Sequence, residues 1–457
     1  MVRFPRRPLL ERALQALVLA VVVTAVLSAG AILSWLSVAR KLRWVALALL
    51  VLAALAYAWS NRRGAKPVAA LVGAAIFAAL ALVSAAWSPR PELTLARGLA
   101  FAGVLAAAAA LAFGGAARIE SLRRILDALV ASAGVVAVGG LLVLAFDHDR
   151  AIQPATTEDA ARYQGLGGNP DTATMLLAVV LPLVAYAVTG SAARRTRLAA
   201  AAIAAVAAGS IVASGSRGAL AAGCGGTVVY ALLAPAATRV RLAAAAAVVA
   251  VAGVGFLITT LPEPERRAEA AVSSRSAATR QAEASRYLDA NRYWRLQEDI
   301  GRPPWGSTNV STHRTIFGTS GRAQAWDGAL RLGAQRPLVG YGFGTENRVF
   351  VDRYVSFGSN LVENSYIGLF LQVGAIGLAA FVALVATLVS GLPRAARAVD
   401  RESVAIAAAA AGAVFAGLVL GLFQSYIYSP GNNATAAVWI SGFLLAAATT
   451  RRSAAGS

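Results

Sequence analysis

Apolar residues run along this chain in long blocks separated by short polar breaks. The blocks fall at roughly 13–35, 43–60, 67–87, 97–115, 122–146, 172–189, 197–214, 217–234, 240–261, 364–390, 402–427 and 433–450. Each is close to the ~20 residues that an α-helix needs to cross a bilayer. The pattern predicts an all-α polytopic membrane protein with about 12 transmembrane helices. Two breaks are long. The first, near 147–171, reads DHDRAIQPATTEDAARYQGLGGNPD, and the second, 262–363, holds roughly 100 residues, far beyond an ordinary connection and therefore folded and functional. The expected layout is nine helices in 1–261, a large loop carrying helices of its own in 262–363, and three helices with a short tail in 364–457.

Within the long loop, PEPERRAEAAVSSRSAATRQAEASRYLDANRYWRLQEDI is polar and poor in glycine, which predicts surface helices with Tyr287, Tyr293 and Trp294 on a limited apolar face. GRPPWGSTNVSTHR breaks that stretch. A further helix is expected to start at GTSGRAQAWDGALRLGAQ and to stop before RPLVGYGFG.

Composition agrees with the pattern: 58% of the 457 residues are hydrophobic and only 14% charged, where a soluble chain carries roughly 25%. The net charge of +20 would fit a nucleic-acid binder if it were concentrated. It is spread instead over short loops. With a cytoplasmic N terminus, about 20 Lys and Arg fall in cytoplasmic segments against about 8 in the short outer loops. The bias puts both termini in the cytoplasm and directs the basic excess at anionic headgroups, leaving no nucleic-acid role. Arg40–Arg43 runs against it. RFPRRPLLER resembles the charged start of a signal peptide, but the apolar run behind it is long and lacks a small-residue cleavage site, so it reads as the first span. Cys224 is the sole cysteine, which rules out an intrachain disulfide or a cysteine-based metal site.

Three places combine charge with a position at the membrane edge. SGSRGALAAG puts Arg217 in a tight Gly/Ser turn between two apolar blocks, where a guanidinium offers a planar fork of donors suited to phosphate; an arginine snorkelling to headgroups is the plain alternative. Arg322 falls in the first turn of the expected loop helix, with Ser320 as N-cap. A cation there opposes the helix dipole, yet the same terminus, with amides from Gly318 to Gly321, suits a bound anion; a surface pairing with Asp327 or Glu346 would be the ordinary role. In LVENSYIGLFLQVGAIGL, Glu363 stands just before the tenth block, a position that favours an acid electrostatically. Partly desolvated at a membrane-edge cavity, it could accept a proton from a hydroxyl. Asn364, Ser365 and Tyr366 add polar handles for a sugar.

Taken in order, SGSRGAL, the TSGR…W…A…PLVGYGFGT block and ENSYIGLFLQVGAIGL resemble the O-antigen ligase/polymerase family. SAAWSPRPELTLARG at 84–98 is similar to that family's outer loop after the third span, and GNPDTATMLLAVVLPL to its sixth span. The resemblance implies a membrane glycosyltransferase, type C-like, whose helical outer loop caps a membrane-edge cavity. Such an enzyme passes a glycan from a polyprenyl-diphosphate carrier to an acceptor hydroxyl on a glycan, lipid or protein. It works on the outer face of a bacterial cytoplasmic membrane, with inversion and with no metal or cofactor. Arg217 and Arg322 match the arginines that hold the donor diphosphate. Glu363 stands where lipopolysaccharide ligases carry a histidine base, and His313, nine residues before Arg322, is the substitute. Arg97 and Arg162 are expected as further diphosphate or glycan contacts, and Trp305, Trp326, Tyr341 and Phe343 as sugar-stacking rings. A polymerase joining lipid-linked repeats is the alternative within this chemistry. A transporter of a small anion or lipid-linked substrate is the alternative outside it, and would call for charged or unwound positions in mid-membrane.

Overall fold

The computed structural model describes residues 7–29, 33–61, 68–116, 118–153, 161–190, 193–260, 322–350, 361–395 and 400–450. Each apolar block becomes a helix. We label them α1 (Arg7–Ser28), α2 (Leu33–Ser60), α3 (Val68–Val83), α4 (Pro91–Gly115), α5 (Ile119–Phe146), α6 (Pro170–Gly190), α7 (Arg194–Ala213), α8 (Arg217–Leu233), α9 (Thr238–Thr260), α11 (Ser365–Val389), α12 (Arg401–Leu420) and α13 (Thr435–Thr450), with α10 (Arg322–Gly333) in the long loop. Ten are long and apolar enough to cross a membrane, and α8 and α13 are shorter apolar helices. The protein is a polytopic all-α membrane protein, with a two-residue pairing of β1 (Ile152–Gln153) and β2 (Arg162–Tyr163) in the first long break.

Contacts between connections sort the helix ends into two sets. At one end, Arg43 of α2 donates to Ser28 Oγ of α1 (3.0 Å) and to Gly431 O (3.4 Å). At the same end, Asn433 Nδ2 donates to Thr172 O of α6 (2.8 Å), Phe343 N to Ser84 Oγ (2.9 Å) and Ser365 N to Gly421 O (2.7 Å). This accounts for Arg43: the residue that defied the charge bias ties the α1–α2 connection to the turns before α13. At the other end, Glu11 binds Arg124, Tyr57 and Ser121, and Arg123 pairs with Glu402 (3.3 Å). Counted along the twelve bundle helices without the loop helix α10, odd-to-even connections thus share one end, as a chain threading back and forth requires.

The helices pack through small residues. A Cβ on Gly226 of α8 would strike the backbone of Gly412 in α12, with Pro182 of α6 beside it. Glycines at such crossings let backbones approach closely, which drives association where lipid supplies no hydrophobic contrast. α8 has 17 residues, about 25 Å of helix, against a hydrocarbon core of roughly 30 Å. A helix that short does not cover the full hydrocarbon core.

Two blocks deviate from continuous helix. The block at 402–427 is helical only to Leu420. Beyond it, GLFQSYIYSPGNNA runs as turns to Thr435, because glycine, serine, proline and paired asparagines favour turns over helix. α11 breaks at Gly374, whose φ of 64° and ψ of −167° are outside the range of L-residues. The break is filled from the loop: Tyr341 N and Gly342 N donate to Leu371 O and Gln372 O, while Ala375 N and Ile376 N donate to Pro337 O and Leu338 O. PLVGYGFG therefore docks into the opened helix and satisfies its backbone, as unwound chain at membrane depth must be.

Candidate functional site

Arg217 opens α8 at the tip of the α7–α8 hairpin. The turn is three residues, Ser214 to Ser216, with Gly215 at φ 62°, the left-handed stop that ends a helix without steric cost. Ser214 Oγ donates to Ile211 O (2.7 Å) and accepts from Ser216 N (3.1 Å). The Arg217 guanidinium lies 5.6 Å from the ring centre of Phe256 on α9, a cation–π distance.

Asp171 stands beside this turn, in the first turn of α6. Asn169 accepts the Thr172 N–H (2.7 Å) and so caps the helix. One Asp171 oxygen takes Arg162 Nη2 at 3.0 Å, and the other lies 3.8 Å from Arg322 Nη2. Ser216 also hydrogen-bonds to Asp171, and Arg162 Nε donates to Ser214 O at 2.6 Å. Arg162 is 11% exposed, Asp171 24% and Arg322 26%. Arg322 Nε is buried with no hydrogen bond among the described residues. Two of the expected arginines, Arg162 and Arg322, thereby meet on one carboxylate, and Arg217 follows in sequence the serine bound to it, with its guanidinium over Phe256.

A second cluster surrounds Glu346, in a single helical turn at the end of the docked loop. Its side chain is 2% exposed. Oε1 accepts from Val362 N (2.8 Å) and Ser425 Oγ (2.7 Å), and Oε2 from Tyr428 Oη and from Gln372 Nε2 (3.4 Å). Burial pushes the Glu346 carboxyl above the usual range, and these donors and the charge of Arg97 only partly oppose it. Burial likewise raises the Tyr428 hydroxyl well above its ordinary value. Arg97 belongs here and not with the other arginines: it donates to Gly344 O and to Asn347 Oδ1 (3.1 Å).

Glu363 lies between the chain pinned by this cluster and α11. Its φ of 55° is the only positive value at a non-glycine among the described residues. For a glutamate that conformation costs about 1 kcal/mol or more and persists only where surroundings enforce it. Asn364, not Glu363, caps α11, accepting from Tyr366 N (3.0 Å) and Ile367 N (3.1 Å), so Glu363 stands one residue outside the helix.

The expected sugar handles are tied into the fold. Asn364 Nδ2 donates to Leu422 O (3.1 Å), Ser365 Oγ to Gln424 O (2.6 Å) and Tyr366 Oη to Leu418 O (2.7 Å), stitching α11 to the end of α12. Trp326 Nε1 donates to Val362 O (3.1 Å). Tyr341 and Phe343 are buried, Tyr341 Oη donating to Gln335 Oε1 (2.9 Å). Asp327 pairs with Arg331 (2.9 Å), and Arg322 turns to Asp171. His313, Trp305 and the first helices expected in the long loop lie outside the described residues. Asp171, Glu346, Ser425 and Tyr428 escaped the sequence reading as site residues. The clue to Asp171 was an acid just after Asn-Pro at a helix start, in a loop already holding Arg162.

These features define a multi-pass membrane protein with polar clusters gathered at one end of the bundle. A family model described as O-antigen ligase matches residues 200–382, and no curated protein matches the chain. The match over 200–382 supports a role in surface polysaccharide biosynthesis for this multi-pass membrane protein. The matched span contains Arg217, Arg322, Glu346 and Glu363, while Arg162 and Asp171 fall before it.

Proposed function

We propose that the protein transfers a glycan from a polyprenyl-diphosphate carrier to an acceptor hydroxyl at the outer face of the cytoplasmic membrane. The observation that carries this reading is the meeting of Arg162 and Arg322 on Asp171, with Ser216 joining that carboxylate to the start of α8 at Arg217. Three guanidinium groups at a membrane-edge turn suit a diphosphate, which presents more charge and more acceptor oxygens than one carboxylate. The acceptor oxygen attacks the anomeric carbon as the carbon–oxygen bond to the diphosphate breaks. The diphosphate leaves with the bonding pair, and the arginines stabilise the charge growing on it. Glu363 takes the proton of the acceptor hydroxyl, and attack from the face opposite the leaving group inverts the centre.

A transporter reading gains little from the break in α11, because Leu371 O and Gln372 O there accept from Tyr341 N and Gly342 N of the docked loop. The test is transfer of a lipid-linked glycan by Arg217→Ala and Arg322→Ala in membranes where both variants insert at wild-type levels. Both should lose transfer. Near-normal transfer by either removes that arginine from the mechanism.

A further inference from the structure

Glu363 is held by its neighbours on both sides, and both holds lead to Glu346. Before it, Val362 N donates to Glu346 Oε1 (2.8 Å). After it, Asn364 N donates to Ser425 Oγ (3.2 Å), and Ser425 Oγ in turn donates to the same Glu346 oxygen (2.7 Å). The two peptide N–H groups that flank Glu363 therefore converge on one carboxylate, directly and through one hydroxyl. Glu346 is itself fixed. A Cβ on Gly368 would collide with Tyr428 Oη and lie 3.1 Å from Glu346 Oε2, so the carboxylate fills a cradle with no slack. Trp326 adds a third hold, donating to Val362 O from α10, the helix that begins at Arg322.

We infer that Glu346 is a positioning residue for Glu363: by anchoring residues 362 and 364 it imposes the left-handed backbone that aims the Glu363 carboxylate. This rests on the reading of Glu363 as the base. The geometry explains a feature that packing alone leaves open, since an unrestrained glutamate would relax out of φ 55°. It also explains the buried carboxylate. Glu346 is on the loop docked into α11, Glu363 precedes that helix, and Ser425 is on the turn after α12. One acid thus locks three segments around a single residue. Displacing a catalytic group by about 1 Å can cost on the order of 10²-fold in rate, so the lock is worth its burial.

The test is a double-mutant cycle between Glu346→Gln and Glu363→Gln, read as kcat, donor KM and the pH profile of kcat, with the milder Ser425→Ala as a second entry to the same lock. Glu346→Gln and Ser425→Ala should each lower kcat, the former by about ten-fold or more, and displace the acidic limb of the profile, with donor KM little changed. Neither should reduce the residual rate of Glu363→Gln further. Losses that add in full to that of Glu363→Gln, or an unmoved profile in both variants, overturn the positioning role and leave the base standing. Near-normal transfer by Glu363→Gln overturns the base and the positioning role together.

Discussion

Arg322 opens helix α10 of the long loop and sets its guanidinium 3.8 Å from Asp171 at the mouth of α6. The contact joins the loop to the membrane bundle through opposite charges that are each about three-quarters covered. Its partner on the other carboxylate oxygen, Arg162, is covered further still. Asp171 thus offsets two cations that a diphosphate would also seek.

Removing that offset has a stability consequence. Asp171→Asn leaves Arg162 and Arg322 facing each other without a counter-charge. A fully buried pair broken in this way costs about 3–5 kcal/mol and an exposed one about 0–1; partial cover puts this loss at about 2 kcal/mol. The melting temperature in detergent should drop by several degrees. Inorganic pyrophosphate should restore more of it in Asp171→Asn than it adds to the wild type, because an anion bound only by the folded state stabilises it by mass action. An equal shift in both proteins would show that the anion does not use these arginines.

The break in α11 gives a second expectation. Gly374 combines φ 64° with contact against the Leu338 backbone, so a Cβ meets both a forbidden conformation and a collision that no side-chain rotation relieves. Gly374→Ala should destabilise by about 3 kcal/mol or more and undock the PLVGYGFG segment. Hydrogen exchange should show Tyr341 and Gly342 amides losing protection. Retained protection would mean that the loop holds without the break.

The helices were legible because membrane spanning demands long apolar runs, and all twelve blocks became helices. What escaped was backbone detail written in short polar words. SYI looked like the tail of a span, yet it and the tyrosine after it supply Ser425 and Tyr428 to a carboxylate 82 residues away in sequence from Tyr428. VGAIG looked like uninterrupted helix, and only the docked loop shows why its glycine is needed. Arg217 and Arg322 could be singled out because each defies a local rule, a charge at the membrane edge and a cation at a helix start. Asp171 and Glu346 obey theirs, as acids in the first turns of helices, and their partners are distant in sequence.

The handles next to Glu363 yield a prediction that separates folding from recognition. Asn364 spends its oxygen on the cap of α11 and its amide nitrogen on Leu422 O. Asn364→Ala should cost about 1 kcal/mol from the cap and somewhat more from the lost tie to α12. Acceptor KM, measured at a temperature where the variant is folded, should stay within about two-fold of wild type, a change worth less than ~0.5 kcal/mol. A rise of ten-fold or more at full stability would return Asn364 to the acceptor site.

The last expectation concerns pH and follows from the buried Glu346 carboxyl, which holds its proton to higher pH than an ordinary glutamate because burial disfavours the charge. Between the unfolded value near ~4.3 and the raised folded one, the native state binds more protons at this site than the unfolded state. The contribution of Glu346 to stability is therefore fully present below the unfolded value and shrinks as pH rises through that window. Glu346→Gln removes the titration while keeping the shape. The wild type minus Glu346→Gln stability difference, measured by thermal or denaturant unfolding in detergent, should fall as pH increases from about 4 and level off above the folded value. A difference that grew with pH would mean that the donors from Val362, Ser425, Tyr428 and Gln372 outweigh desolvation and hold Glu346 as a carboxylate. A flat difference would mean that the two effects cancel.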